Sequence, residues 1–293
     1  KADEWEASYP GIVRAVHQEN VGHGIAVLSG LREARGTYYK VVDSDDWLDA
    51  SALSTMLSIL RGFEERGCRV DLFISNYVYE KVYEGKRNVV SYRTALPRKK
   101  VFGWDDIGHF RPDQNLLMHS LCYRTDVLRE ANLPMPPHTF YVDNIYAYVP
   151  LPLCRTLYYA DIDLYRYFIG REGQSVNEAT MVKRLDQQFR ITRIMMNAYH
   201  LHRDVESARL RSYMEGYFAM MLAICSVFSK LSDDPEAEGW LSSLWSDLKE
   251  YDERMYRHAR YGVVGLFTNL PSKAGEKTTI GLYRLASKIF KFN

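Results

Sequence analysis

From Tyr38 to Leu48 the chain reads Tyr-Tyr-Lys-Val-Val-Asp-Ser-Asp-Asp-Trp-Leu, an apolar strand pattern that runs straight into three carboxylates within four positions. Two like charges about 4 Å apart repel by roughly 4 kcal/mol at an effective dielectric near 20. Such a group is therefore found with a cation or with a displaced pKa. Hard carboxylate oxygens suit Mg²⁺ or Mn²⁺, which link one or two carboxylates to substrate phosphates. In an open α/β sheet, ligands bind beyond the carboxyl ends of strands, where this cluster falls. The competing reading is local: Asp43 ends a strand, Ser44 to Asp46 form a turn, and Asp46 or Asp49 caps the next helix.

The surrounding pattern supplies the sheet. From residue 11 to about 178, β-branched or aromatic runs alternate with helical periods, as in an α/β fold. Strands are predicted at Tyr38 to Asp43, Val70 to Ser75, Asn88 to Tyr92 and Leu157 to Phe168. Helices are predicted at Gly24 to Ala34, Ala50 to Glu65, Arg124 to Ala131 and Asp143 to Leu151. Leu53, Met56, Leu57, Leu60 and Phe63 recur at three- and four-residue steps, which predicts one buried stripe behind a cap near Asp49. After Asn177 the stretches Met181 to His202, Val205 to Leu231 and Ala237 to Arg257 are long and periodic without strand signals, so a helical region is expected over 179–293.

Composition narrows the function classes. With 293 residues, 46% apolar, and a formal charge of +1, the chain has no electrostatic footprint for nucleic acid. Cys68, Cys122, Cys154 and Cys225 show no Cys-x-x-Cys spacing, which argues against a zinc site and for a reducing compartment, the cytoplasm by default. The longest apolar run, Gly216 to Phe228, is shorter than the roughly 20 residues a spanning helix needs. Lys1 to Pro10 is charged and shows no apolar signal core, so no export signal is expected. From Leu270 onward five cations (Lys273, Lys277, Arg284, Lys288, Lys291) face a single anion, Glu276. This tail is read either as part of a helical support, packed on the sheet domain or on a second copy, or as a basic amphipathic contact with an anionic membrane through residues 279–293.

Upstream of the acids, Asn20-Val21-Gly22-His23-Gly24-Ile25-Ala26 forms a glycine-containing turn that opens a helix, closed by Gly30, Leu31, Ala34 and Gly36 before the strand. Asn20, Gly22, Ala26, Gly30, Leu31, Ala34, Gly36, Tyr38 and Asp43 to Leu48 together resemble the nucleotide-sugar half-site of the family 2 glycosyltransferases. A family asparagine is replaced here by Leu28. The resemblance covers residues 1–178 and implies a GT-A-like mixed sheet flanked by helices, whose first nucleoside-holding strands, roughly 50 residues, would precede Lys1.

It further implies a nucleoside-diphosphate sugar donor, most simply UDP-linked, held with Mn²⁺ or Mg²⁺. Asp45 would be the main metal ligand with Asp43, which would also contact the donor; Asp46 would support metal or sugar. Asn20, Gly22 and Gly24 would shape the donor site, and Arg171 and Gln174 in the loop after the last strand would reach the diphosphate. Phe140 to Tyr146 matches the segment carrying the family's base, with Val142 in place of an acid, so Asp143 is the expected catalytic base. Losing that neighbouring charge should lower the pKa of Asp143 relative to an acidic pair. His119 and His138 flank the presumed acceptor side, either as structural residues or as substrate contacts.

The Gln-x-x-Arg-Trp signature of processive synthases is absent, which favours single addition to a glycan or lipid-linked acceptor in cell-envelope polysaccharide synthesis. That places the chain in the cytoplasm or on the inner face of the membrane, with a homodimer left open. Two alternatives remain: a catalytically silent GT-A-like scaffold or binding module, and a metal-dependent phosphohydrolase.

Overall fold

The computed structural model describes residues 1–111, 114–170 and 178–270, with 275, 277–281, 283 and 284 beyond them. Seven strands form one mixed sheet: β1 (Tyr38–Tyr39), β2 (Trp47–Leu48), β3 (Leu72–Lys81), β4 (Lys86–Val90), β5 (Val101–Phe102), β6 (Leu121–Arg124) and β7 (Leu157–Phe168). The order is β1-β6-β3-β7-β2, with β4 on β3 and β5 on β7. β3 and β7 run parallel down the middle and the other pairings are antiparallel. A central parallel pair must be covered on both faces, and nearly every residue of β3 is buried.

The period-2 alternation of the strands sorts their side chains between two cores. Leu72, Ile74, Leu121, Tyr123, Leu157, Tyr159 and Tyr165 enter the larger one. Phe73, Cys122 and Leu164 face the smaller one under α3 (Ala50–Glu65). That helix begins where the sequence places it, with Asp49 accepting a hydrogen bond from the Ala52 N–H at 3.0 Å. Ala52, Met56, Leu60 and Phe63 form its buried stripe, whereas Leu57, expected in that stripe, is 51% exposed.

The other face carries α2 (His23–Glu33), α4 (Thr125–Glu130) and α5 (Asp143–Tyr148), then the helical region. That region comprises α6 (Glu178–Lys183), α7 (Leu185–Ala198), α8 (Leu201–Asp204), α9 (Ala208–Leu231), α10 (Ala237–Tyr251), α11 (Glu253–Tyr261) and α12 (Val263–Thr268). A short α1 (Ala2–Ser8) buries none of its residues. The larger core is continuous across residue 178, joining Tyr146 and Tyr148 to Phe189, Met214 and Tyr217.

α9 passes the length and hydropathy criteria for a membrane span, with a best window averaging 1.3, which the 13-residue run alone did not reveal. Leu210, Met214, Phe218, Met221, Leu222 and Cys225 are nonetheless buried against the rest of the molecule, the packing of a core helix. All four cysteines are free thiols, and only Cys68 is exposed.

Three expected boundaries shift for physical reasons. The strand read as Tyr38 to Asp43 is regular only at Tyr38–Tyr39, which pair with Arg124 and Tyr123. β6 gives way at Leu121 to a 3₁₀ turn at Met118–Ser120, so in the same register Val42 and Asp43 fall opposite the turn and have no ladder to continue on that side. The helix read as Asp143 to Leu151 stops at Tyr148, ahead of Pro150. Val70, expected in β3, lies just before it and is held by its N–H donating to the Tyr38 phenol at 3.2 Å.

Candidate functional site

The site is built on the segment after β1. Ligand atoms of Asp43, Asp46 and His119 all lie within 4.8 Å of one another. His119 approaches Asp43 Oδ2 through Nε2 at 3.7 Å, and His23, the first residue of α2, approaches Asp43 Oδ1 through Nδ1 at 3.8 Å. The Tyr165 phenol donates to Asp46 Oδ2 at 2.7 Å and accepts the Asp43 N–H at 3.1 Å. The Phe168 N–H donates to Asp46 Oδ1 at 2.9 Å, so both oxygens of Asp46 are oriented from β7.

His119 is fixed from several sides. Its ring centroid lies 4.4 Å from that of Tyr167 and 4.6 Å from that of Tyr165. Its carbonyl accepts from Lys40 Nζ at 2.8 Å, and the same amine donates to the Leu121 carbonyl at 3.3 Å. Burial lowers the Lys40 pKa to about 8, with Asp43 acting in the opposite direction.

The acids divide by environment. Burial works to raise Asp43, but the His119 and His23 imidazoles and the Tyr165 phenol outweigh it and leave Asp43 below its ordinary value. Asp46 ends above its ordinary value because burial, with help from Asp45, outweighs the Phe168 and Tyr165 hydrogen bonds. Asp45, expected as the main metal ligand, is partly buried and acts on Asp46, but the ligand atoms that come together are those of Asp43, Asp46 and His119.

Asp143, on α5, lies near enough to feel Asp43, His119 and His23 but is not one of the three residues whose ligand atoms come together. Burial raises its pKa, with Asp43 adding to the rise while His119 and His23 oppose it. Removal of an adjacent acid is therefore a smaller influence than desolvation. Asp143 is the first residue of α5 and the cap position falls on Val142, which is buried. The loop before it is tightly specified: His138 and Tyr141 have φ of 49° and 64°. The Phe140 N–H donates to Gln187 Oε1 at 2.8 Å, and Arg190 donates to Thr139 Oγ1 at 3.1 Å. The Tyr217 phenol of α9 donates to Asn144 Oδ1 at 3.0 Å, so the helical region buttresses the residue next to Asp143.

The glycine turn works on this same loop. Gly22 has φ of 98°, its N–H donates to Asn20 Oδ1 at 3.2 Å, and a Cβ there would meet the His138 nitrogen at 3.0 Å. The His138 N–H donates to the Val21 carbonyl at 2.8 Å. A Cβ on Gly24 would meet Met135 Cβ at 3.0 Å and Val142 Cγ2 at 3.3 Å. Asn20, Gly22 and Gly24 thus seat α2 against the loop that delivers Asp143. His138 itself is exposed. Arg171 and Gln174 lie outside the described residues, as does most of the basic tail.

A concavity of about 310 Å³, lined in part by Asp49, Arg93, Asp161, Asp163 and Arg166, lies away from this cluster. Tyr165 turns to the cluster and Arg166 to the concavity, as successive strand residues do. The charges there are satisfied: Arg166 pairs with Asp49 and Glu80, and Asp161 with Asn76, Tyr159 and Arg93. The chemistry therefore sits at the cluster, not in this concavity.

Sequence reasoning placed Asp43, Asp46 and Asp143 near one another. It gave no role to Lys40, His23, Tyr165 or Tyr167; His119, read as flanking the acceptor side, lies beside Asp43. Recognising β6 as the neighbour of β1 would have brought His119 to the acids.

Fold and site define an open mixed-sheet α/β protein with clustered carboxylates at a strand end, an arrangement consistent with the GT-A fold. Residues 1–114, the stretch that carries Asp43, Asp45 and Asp46, match the family model described as glycosyl transferase family 2. A similar curated protein is the "Putative glycosyltransferase EpsH" of Bacillus subtilis (strain 168), 36% identical over 73 residues. That alignment covers 25% of this chain and 20% of the relative, so the chain matches about a fifth of the relative's length.

Proposed function

We propose that the protein is an inverting glycosyltransferase that moves a sugar from a nucleoside-diphosphate sugar to a hydroxyl of a glycan or lipid-linked acceptor. The observation that carries the reading is the grouping of Asp43, Asp46 and His119 within 4.8 Å, with Asp143 near enough to feel Asp43, His119 and His23 and held above its ordinary pKa while Asp43 is held below. Groups whose environments drive their pKa values apart take different chemical roles.

Asp43 and Asp46, with Asp45 beside them, are the residues that would hold a divalent cation on the donor diphosphate. Such a cation, Mn²⁺ or Mg²⁺, would supply charge neutralisation for the departing nucleoside diphosphate. Asp143, made more basic by burial, accepts the proton of the acceptor hydroxyl as its oxygen bonds to the anomeric carbon. The bond from that carbon to the phosphate oxygen breaks, and the nucleoside diphosphate leaves with the electron pair. Tyr165 keeps Asp46 directed at the cluster, and the Gly22 to His138 contact fixes the loop that carries Asp143.

The exposed apolar residues Val263, Val264, Leu266 and Phe267 around α12 support a peripheral position at a membrane holding the acceptor, on the cytoplasmic side in cell-envelope polysaccharide synthesis.

The test is nucleoside-diphosphate release from a panel of nucleotide sugars with Mn²⁺, with and without candidate acceptors. Release that depends on Asp143 and is stimulated by an acceptor supports the reading. Release of inorganic phosphate in place of nucleoside diphosphate contradicts it.

A further inference from the structure

We propose that His119 is a nitrogen ligand of the divalent cation, completing a two-carboxylate, one-imidazole donor set with Asp43 and Asp46 and biasing the site toward Mn²⁺ over Mg²⁺. The inference rests on the cation-dependent reading of this site. Its evidence is separate from the acidic motif, because His119 comes from the turn before β6.

His119 is 6% exposed, yet its Nδ1 has no hydrogen-bond partner among the described residues. A buried histidine serving only structure ordinarily has its ring nitrogens satisfied, since an unpaired buried polar atom is costly. Its Nε2 is no better placed as a purely structural donor. At 3.7 Å from Asp43 Oδ2 it stands beyond normal hydrogen-bond length, while a ligand atom of His119 stays within 4.8 Å of both carboxylates. The nitrogen that faces the carboxylates, and so the ligand atom, is Nε2, and 3.7 Å is a separation that two ligands each about 2.1 Å from a shared ion can have.

The ring is also preorganised. Tyr165 and Tyr167 hold its faces, and Lys40 holds its backbone carbonyl. Asp46 is oriented by Tyr165 and the Phe168 N–H. Groups that orient ligands in this way tune metal affinity.

The donor set carries the selectivity. Mg²⁺ takes oxygen ligands in strict octahedral geometry and keeps its waters, whereas imidazole suits first-row transition ions. His23 is a weaker candidate, because its side chain is 41% exposed and approaches only Asp43 among the cluster carboxylates.

The experiment is electron spin-echo envelope modulation on the full chain loaded with MnCl₂ alone, repeated after labelling with ¹⁵N-histidine. The proposal expects ¹⁴N modulation that changes to the ¹⁵N pattern on labelling and persists in His23→Gln. His119→Phe, which keeps a ring between the two tyrosines, should lose the modulation and weaken Mn²⁺ by roughly tenfold or more, with a smaller change for Mg²⁺. Mn²⁺ bound without nitrogen modulation overturns the role of His119 and leaves the carboxylate cation site standing. Modulation lost in His23→Gln also overturns it. No Mn²⁺ binding by the folded wild-type chain overturns both readings, and the labelled wild-type spectrum makes the test independent of whether His119→Phe folds.

Discussion

Tyr165 donates a 2.7 Å hydrogen bond to Asp46 Oδ2, tying the middle strand of the sheet to the acidic segment that follows β1. The same phenol accepts the Asp43 N–H, so one hydroxyl sets the geometry of two acids. Tyr165→Phe keeps the ring beside His119 and removes only this tie. Hydrogen bonds to charged groups contribute about 1.5–3 kcal/mol, and about 1.4 kcal/mol is tenfold in affinity. Calorimetric titration of UDP with Mn²⁺ is expected to weaken by roughly tenfold or more, while the far-ultraviolet circular dichroism stays that of the wild type.

Asp143→Asn removes the base and leaves the cluster around Asp43 in place. The turnover number is expected to fall by about 10²–10⁴, with UDP affinity within about threefold. In the wild type Asp143 must be deprotonated to act, so kcat/KM falls as pH drops through its pKa. Because burial raises that pKa, the acid limb should lie above the ordinary aspartate value of about 3.9, and a pH profile of initial rates reads it.

Gly30 lies against β1: a Cβ there would come within 2.7 Å of the Tyr39 phenol oxygen, which donates to the Val27 carbonyl at 2.8 Å. Gly30→Ala should destabilise the fold by about 1–3 kcal/mol through overpacking. Adding Tyr39→Phe deletes the clashing oxygen, so the double variant should be more stable than the sum of the single effects by about 1 kcal/mol. Urea denaturation of the four proteins measures this coupling.

Lys40 makes stability depend on pH in a defined window. Its pKa is about 8 in the fold and about 10.4 in an unfolded chain. Between these values the unfolded state binds more protons at this group, so its contribution to stability rises with pH from about 8 to about 10. The full effect of Lys40 is about 3 kcal/mol at most. Burial raises the Cys122, Cys154 and Cys225 thiols, which pull stability down over the same window, so the Lys40 contribution is read by difference: between pH 7.5 and 9.5 the urea midpoint of Lys40→Met should drop further than that of the wild type.

Much of the scaffold was legible because its signals are local. α3 carries its own cap at Asp49 and its own periodicity, and β7 is a long run of β-formers; both occupy the residues read from sequence. The fate of Leu57 was not, because at about 100° per residue it falls at the edge of the face made by Ala52, Met56, Leu60 and Phe63. β6 escaped notice because four residues between a 3₁₀ turn and a helix leave no period to detect. Missing β6 meant missing that Tyr38–Tyr39 has it as a neighbour, and so that His119 reaches Asp43. The carboxylates announced themselves by clustering in the chain, whereas Lys40, Tyr165 and His119 acquire their roles only through strand pairing.

Isothermal titration of UDP into the wild-type chain and Asp43→Asn, each with Mn²⁺ and with chelator, bears most directly on whether this cluster is a nucleotide-sugar site. Saturable binding in the wild type that requires the cation and disappears in Asp43→Asn is the expected result. Binding of equal strength in the variant, or a folded wild-type chain that binds no UDP with cation present, would contradict the account.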